Sequence, residues 1–124
     1  MSGPTGTVEI TNIREQGRHT IRLEGELDMS GVPSLEAAAG RVWGEVSSLT
    51  VDLSGLRFID STGLAAIVHI SGLCARHDCR FGIVQGPREV QRLFELTGLD
   101  GVLPFVSADG SPPGAAAPGS DGVA

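Results

Sequence analysis

Lysine is absent from the 124 residues, so the Gly-x-x-x-x-Gly-Lys-Ser/Thr phosphate loop cannot be built, and the Gly-x-Gly-x-x-Gly dinucleotide fingerprint is missing as well. The basic residues are all arginine, spread singly from Arg14 to Arg92, and the formal net charge is −6. With no basic cluster to meet a phosphate backbone, nucleic acid is excluded as a partner. Cysteine is scarce: Cys74 and Cys79 enclose His77 and Asp78, which invites a zinc or disulfide reading. A structural zinc site needs four ligands, usually as two close-spaced clusters, and no second cluster exists, so no metal is expected. In an intracellular chain such thiols serve as small buried apolar groups. No apolar run approaches the ~20 residues that span a bilayer, and Met1–Gly6 lacks the basic-then-apolar order of a signal peptide. The expectation is a soluble cytoplasmic protein with no membrane contact.

What is present suffices for one core, since 40% of the residues are hydrophobic and the length supports one domain. Val8 and Ile10 alternate with polar neighbours, as do Ile21, Leu23 and Leu27, and Gln16-Gly17 between them predicts a hairpin. Val32, Leu35, Ala39 and Val42 fall on one stripe of a first helix running to Trp43, with Pro33 in its first turn. Leu49–Leu53 alternates as a strand, and a short turn then leads to an apolar helix from Thr62 to about Arg76. Arg80–Val84 is another strand. Pro87 opens a last helix with Val90, Leu93, Phe94 and Thr97 on one face, stopped by Gly98-Leu99. A short strand around Leu103–Phe105 closes the domain. No internal repeat is found.

The order β-β-α-β-α-β-α implies an α/β (α+β-like) fold: a single mixed sheet of about four or five strands with helices packed on it. The domain is expected over residues 7–107, after a flexible N-terminus of residues 1–6. Residues 108–124, rich in Gly, Pro and Ala, bury too little to offset the entropy of ordering and read as a disordered tail.

The most informative stretch is Leu53–Gly63 running on into Leu64–Val68. A strand and turn lead into Asp60-Ser61-Thr62-Gly63 at the start of an apolar helix, where backbone N–H groups are still unpaired. Such a place can carry, accept or recognise a phosphate. Ser61 as a hydrolytic nucleophile fails on geometry. The surroundings are not Gly-x-Ser-x-Gly, and His69, eight residues along the same helix, is about 12 Å away. His19, in the hairpin, has no evident route to it. Ser61 as a substrate fits better: a phosphate adds about −1.5 to −2 charges and changes the surface without refolding.

Leu23-x-Gly25-x-Leu27-Asp28, Val51-Asp52-Leu53 and above all Phe58-Ile59-Asp60-Ser61-Thr62-Gly63-Leu64 resemble the STAS domain, and more closely its free-standing bacterial form, the anti-sigma factor antagonist. The resemblance implies a STAS-type fold and a non-enzymatic role without a cofactor. In its unphosphorylated form such a protein binds an anti-sigma factor that is also a serine kinase, and so frees a sigma factor. The kinase, using magnesium and ATP, modifies the serine after the aspartate, here Ser61, and a PP2C-type phosphatase reverses this. Asp28 and Asp60 match the family's acidic residues beside the site. The partner surface implied comprises Asp28, Asp60, Ser61, Thr62, Gly63, Ala65, Ala66 and His69, with Gly72 on the same helical band. Ala65 stands where many members have glycine.

Plainer readings remain open for each residue. Asp60 or Ser61 serves as a helix cap, Asp28 ends a strand, and Thr62 is a first-turn residue. His69 is an exposed helix residue, Asp52 a strand-end polar group, and Trp43 the end of the first helix's stripe. On the alternative functional reading, the chain is a non-switching structural STAS subunit of a larger signalling or transporter assembly.

Overall fold

A computed structural model of the chain describes residues 8–107. The expectations for residues 1–6 and for the tail 108–124 lie outside the described residues. The elements are β1 (Val8–Glu15), β2 (Arg18–Leu27), α1 (Val32–Gly40), β3 (Ser48–Ile59), α2 (Ser61–Arg76), β4 (Arg80–Val84), α3 (Arg88–Leu96), a 3₁₀ turn (Leu99–Gly101) and β5 (Phe105–Val106). Among the described residues no helix is long and apolar enough to cross a membrane.

Gln16 (φ 49°) and Gly17 (φ 80°) join β1 to β2. Two consecutive positive φ values define the type I′ turn whose twist matches the flanking strands, and glycine takes the second place without strain. The sheet order is β1-β2-β3-β4-β5, with β1 antiparallel to β2 and all later pairs parallel. Every parallel crossover therefore steps the same way across the sheet, and right-handed crossovers then lay all three helices on one face. The core agrees: Ile21, Leu23, Leu49, Val51, Ile83 and Phe105 from the strands join Leu35, Ile67, Ile70 and Phe94 from the helices in one buried cluster. The opposite face carries Thr20, Arg22, Thr50 and Asp52, where Arg22 Nε donates to Asp52 Oδ2 at 3.4 Å.

β3 departs most from the sequence reading. It runs on through Ser54–Ile59, where a turn is predicted, and it gains one extra residue against β2 at each of two register shifts, between Arg22 and Glu24 and between Gly25 and Glu26. These bulges re-phase the strand, so that Leu53, Leu56 and Ile59, three apart, all face the core. A strict period of two breaks there and imitates a turn. Asp52 is consequently a buried mid-strand residue, with Oδ1 accepting from the amide and hydroxyl of Ser54.

Smaller shifts have local causes. α1 ends at Gly40 because Val42 N–H bonds the Ala39 carbonyl, a tighter turn that stops the helical ladder. Val42 stays buried and Trp43 stacks flat on the His77 ring, 4.9 Å between centroids. α2 starts one residue early, at Ser61. β5 occupies Phe105–Val106 and not Leu103–Phe105. Gly98 at φ 78° makes the expected left-handed stop after α3. Cys74 and Cys79 are buried free thiols.

Phe94 is fully buried and meets Phe105 edge-on at 5.4 Å. Phe94→Ala is expected to cost about 3–5 kcal/mol, read as a lower urea midpoint with an unchanged m-value.

Candidate functional site

The site forms where β2 and β3 end side by side. Leu27 pairs with Ile59, and the next amide, that of Asp60, donates back to the Leu27 carbonyl at 3.2 Å. Asp60 is extended (φ −111°, ψ −174°) and is the N-cap of α2. Its Oδ1 accepts from the amides of Thr62 and Gly63, each at 3.0 Å, and from the Thr62 hydroxyl at 2.6 Å. The hydroxyl first, then the amides, hold the Asp60 carboxyl below its ordinary value, and slight desolvation opposes them. The plain capping reading therefore belongs to Asp60 and not to Ser61, and two first-turn amides are already taken.

Ser61 is exposed at the first helical position, and its hydroxyl makes no hydrogen bond among the described residues. Thr62 is exposed too, but its proton is committed to Asp60. Gly63 is buried: a Cβ there would lie 2.8 Å from the Leu27 carbonyl oxygen and 2.9 Å from Leu27 Cγ. Only glycine lets α2 start this close to β2.

Asp28 opens the loop from β2 to α1, half-buried. Its Oδ1 accepts from the Ser30 amide at 3.0 Å and hydroxyl at 2.6 Å, and Gly31 N–H closes the turn on its carbonyl. No hydrogen bond joins it to Ser61 among the described residues; the two loops meet through Leu27 and Asp60. Asp28-x-Ser30, Asp52-x-Ser54 and Asp60-x-Thr62 share one local geometry, in which a carboxylate oxygen takes the amide and hydroxyl two residues on. That threefold repetition, an Asp two residues before Ser or Thr, is itself readable in the sequence.

The helical band needs correction. Ser61, Thr62, Ala65, Val68, His69 and Gly72 are exposed, whereas Gly63 and Ala66 face the core and offer no surface to a partner. The exposed positions follow the 61, 65, 68, 72 spacing of one helical face. Sequence reasoning missed Val68, because an apolar residue in an apolar helix reads as core. It also missed Met29, 70% exposed at the tip of the Asp28 loop, and Phe58, 47% exposed and paired with Glu26 on the sheet face away from the helices. Among the described residues no group of three or more His, Cys, Asp or Glu side chains is gathered to hold a metal.

A family model described as "Mlab, STAS domain" matches residues 11–105. The chain belongs to the STAS family. This STAS domain is 30% identical over 101 residues to the anti-sigma-F factor antagonist RsfB of Mycobacterium tuberculosis, covering 81% of each chain. It is 28% identical over 97 residues to an anti-sigma-B factor antagonist of Staphylococcus epidermidis, covering 77% of this chain and 90% of that one. Its fold is similar to the crystal structure of an anti-sigma factor antagonist from Mycobacterium paratuberculosis, with TM-score 0.75, 28% identity, and 88% and 93% of the two chains covered. It is also similar to unphosphorylated SpoIIAA, with TM-score 0.67 at 21% identity, covering 82% and 90% of the chains, which speaks for the fold alone.

The cap and the close approach at Gly63 make outcomes that denaturation can read. Asp60→Ala is expected to lose about 1 kcal/mol in urea denaturation, and Asp60→Asn, which still accepts from the amides, less. Because the folded carboxyl is held below its unfolded value near 3.9, its contribution is complete above that pH and is lost as the pH falls through the lower folded value; Asp60→Asn removes that part of the acid response. Gly63→Ala, which drives a methyl onto a backbone carbonyl, is expected to cost about 1–3 kcal/mol in the same assay.

Proposed function

We propose that this STAS domain is a cytoplasmic anti-sigma factor antagonist, in which the exposed face of α2 and the Asp28 loop dock on a serine-kinase anti-sigma factor until Ser61 is phosphorylated. The observation that carries the reading is the contrast between two neighbouring hydroxyls. Ser61 is exposed and unbonded among the described residues, while Thr62 is held by a short charge-assisted bond to Asp60. A kinase meets one hydroxyl ready to react and one that must first break a helix cap. The names of the relatives support the general role.

In the transfer, Ser61 Oγ forms a bond to the γ-phosphorus of magnesium-bound ATP, the bond from that phosphorus to the β,γ-bridging oxygen breaks, and the hydroxyl proton passes to a base on the kinase. The domain acts as substrate and not as catalyst. A PP2C-type phosphatase restores the hydroxyl by hydrolysis.

Two of the first-turn amides of α2 are not open to a phosphate on Ser61. Asp60 already uses the Thr62 and Gly63 amides, so about −1.5 to −2 new charges project outward beside a carboxylate. Small side chains at Ala65 and Gly72 let a partner backbone approach closely, and Val68 and Met29 supply apolar contact. Outward charge at the rim of such a surface opposes docking without any change of fold.

Incubation with candidate cognate kinases and ATP, with the phosphate mapped by mass spectrometry, is expected to show modification at Ser61 and none at Thr62, even in Ser61→Ala. Ser61→Ala is expected to keep partner affinity while losing its control by kinase, and Ser61→Asp, with one charge, to weaken binding only in part. Equal partner affinity before and after phosphorylation would remove the switch. A large stable assembly with Ser61 unmodified would favour the structural-subunit reading instead.

A further inference from the structure

A second unusual group lies at the other end of β2. His19 is only 6% exposed, on the helix-bearing side of the sheet, about 26 Å along the strand from Leu27 at 3.3 Å per residue. Its Nε2 lies 2.9 Å from Asn12 Oδ1, so Nε2 carries the proton and Nδ1 the lone pair. Nδ1 is buried and has no hydrogen-bond partner among the described residues. A neutral ring tolerates this, because an acceptor without a donor costs less than a charge without one. A protonated ring would place a second N–H with no acceptor in the core.

We propose that His19 is an acid-sensitive latch: while neutral it keeps the β1–β2 hairpin packed against the segment that leads from α1 into β3, and on protonation it releases that corner. Besides the ladder pairs of Arg18 with Ser48 and His19 with Leu49, polar contacts tie the corner to that segment. The Gly17 carbonyl accepts from the amides of Ser47 (2.8 Å) and Ser48 (3.4 Å) and from the Ser47 hydroxyl (3.2 Å), and Arg14 pairs with Glu45 at 3.1 Å.

The charged surroundings favour the neutral ring. Arg14 is the register partner of His19 on β1, and Glu45 offsets it only from an exposed position. Leu49 is the partner on β3. Among the described residues the one other buried charged group, Asp52, points to the opposite face. Burial pushes the Cys74 thiol up to about 12 and that of Cys79 upward, so neither supplies an anion. Burial first and Arg14 second lower the proton affinity of His19 itself. The sign follows: with the folded value below the unfolded 6.5, the contribution is complete above pH 6.5 and is lost as the pH falls through the folded value.

The test is hydrogen exchange on the full chain at pH 7.5 and 5.5, corrected for intrinsic rates, comparing wild type with His19→Gln, whose amide can still donate to Asn12 but cannot charge. Below pH 6.5, opening of the Ser47 and Ser48 amides in wild type is expected to rise by up to tenfold per pH unit, the limit for one proton. It is expected to stay flat in His19→Gln, with the Leu27–Asp60 end unchanged in both. Equal acid responses in the two proteins, or no response in wild type, would overturn the latch. If His19→Gln does not fold, NMR titration of the wild-type histidines decides: His19 protonating below 6.5 supports it, and at or above 6.5 refutes it.

Discussion

The hydrogen bond from the Asp60 amide to the Leu27 carbonyl is the junction on which the candidate site depends. It sets the end of β3 level with the end of β2, so that α2 starts directly over Leu27. Gly63 makes this possible, since any Cβ would meet the same carbonyl. Asp60 then closes the helix end with one oxygen accepting three donors. The exposure of Ser61 follows: capping, packing and hydrogen bonding are carried by its neighbours, and its own hydroxyl is left over.

That arrangement separates, over a few residues, the side chains that hold the fold from those left at the surface. Asp60 and Gly63 bear structural loads, and Thr62 is tied to the cap. Ser61, Ala65, Val68, His69 and Gly72 bear little and face outward. A modification confined to the second group changes what a partner meets while the helix beneath stays as it was. Among the described residues the Asp28 loop borders this surface with its own carboxylate turned inward to Ser30, which leaves Met29 at the tip.

The sheet that carries the site is built with unequal ends. At the Ser61 end, two bulges in β3 bring Leu53, Leu56 and Ile59 onto the core side, and the strand reaches far enough to deliver Asp60 beside Leu27. At the other end, beside the hairpin turn, the buried His19 ring is bonded through Nε2 to Asn12. The two ends share β2, yet His19 at one end and Asp60 and Ser61 at the other share no hydrogen bond among the described residues.

Local chemistry alone made much of this legible. The Gln16-Gly17 turn, the stripe of α3 and the Gly98 stop are short-range signals, and each of these stands close to its expected place. The Asp-Ser-Thr-Gly block marked the start of α2, because an acid, a hydroxyl and a glycine before an apolar run state where a helix begins. Only the tertiary structure decided what depends on contacts between distant residues. The bulges exist against β2, so the period of Ser54–Ile59 misleads when read alone. Ala66 and Gly63 turn inward, and Val68 outward, because of where the sheet lies, which a uniformly apolar helix does not reveal. Asp60 rather than Ser61 is the cap because strand pairing fixes the backbone at the Leu27 carbonyl, and His19 is buried because β2 lies between β1 and β3 with this ring on the helix-bearing side.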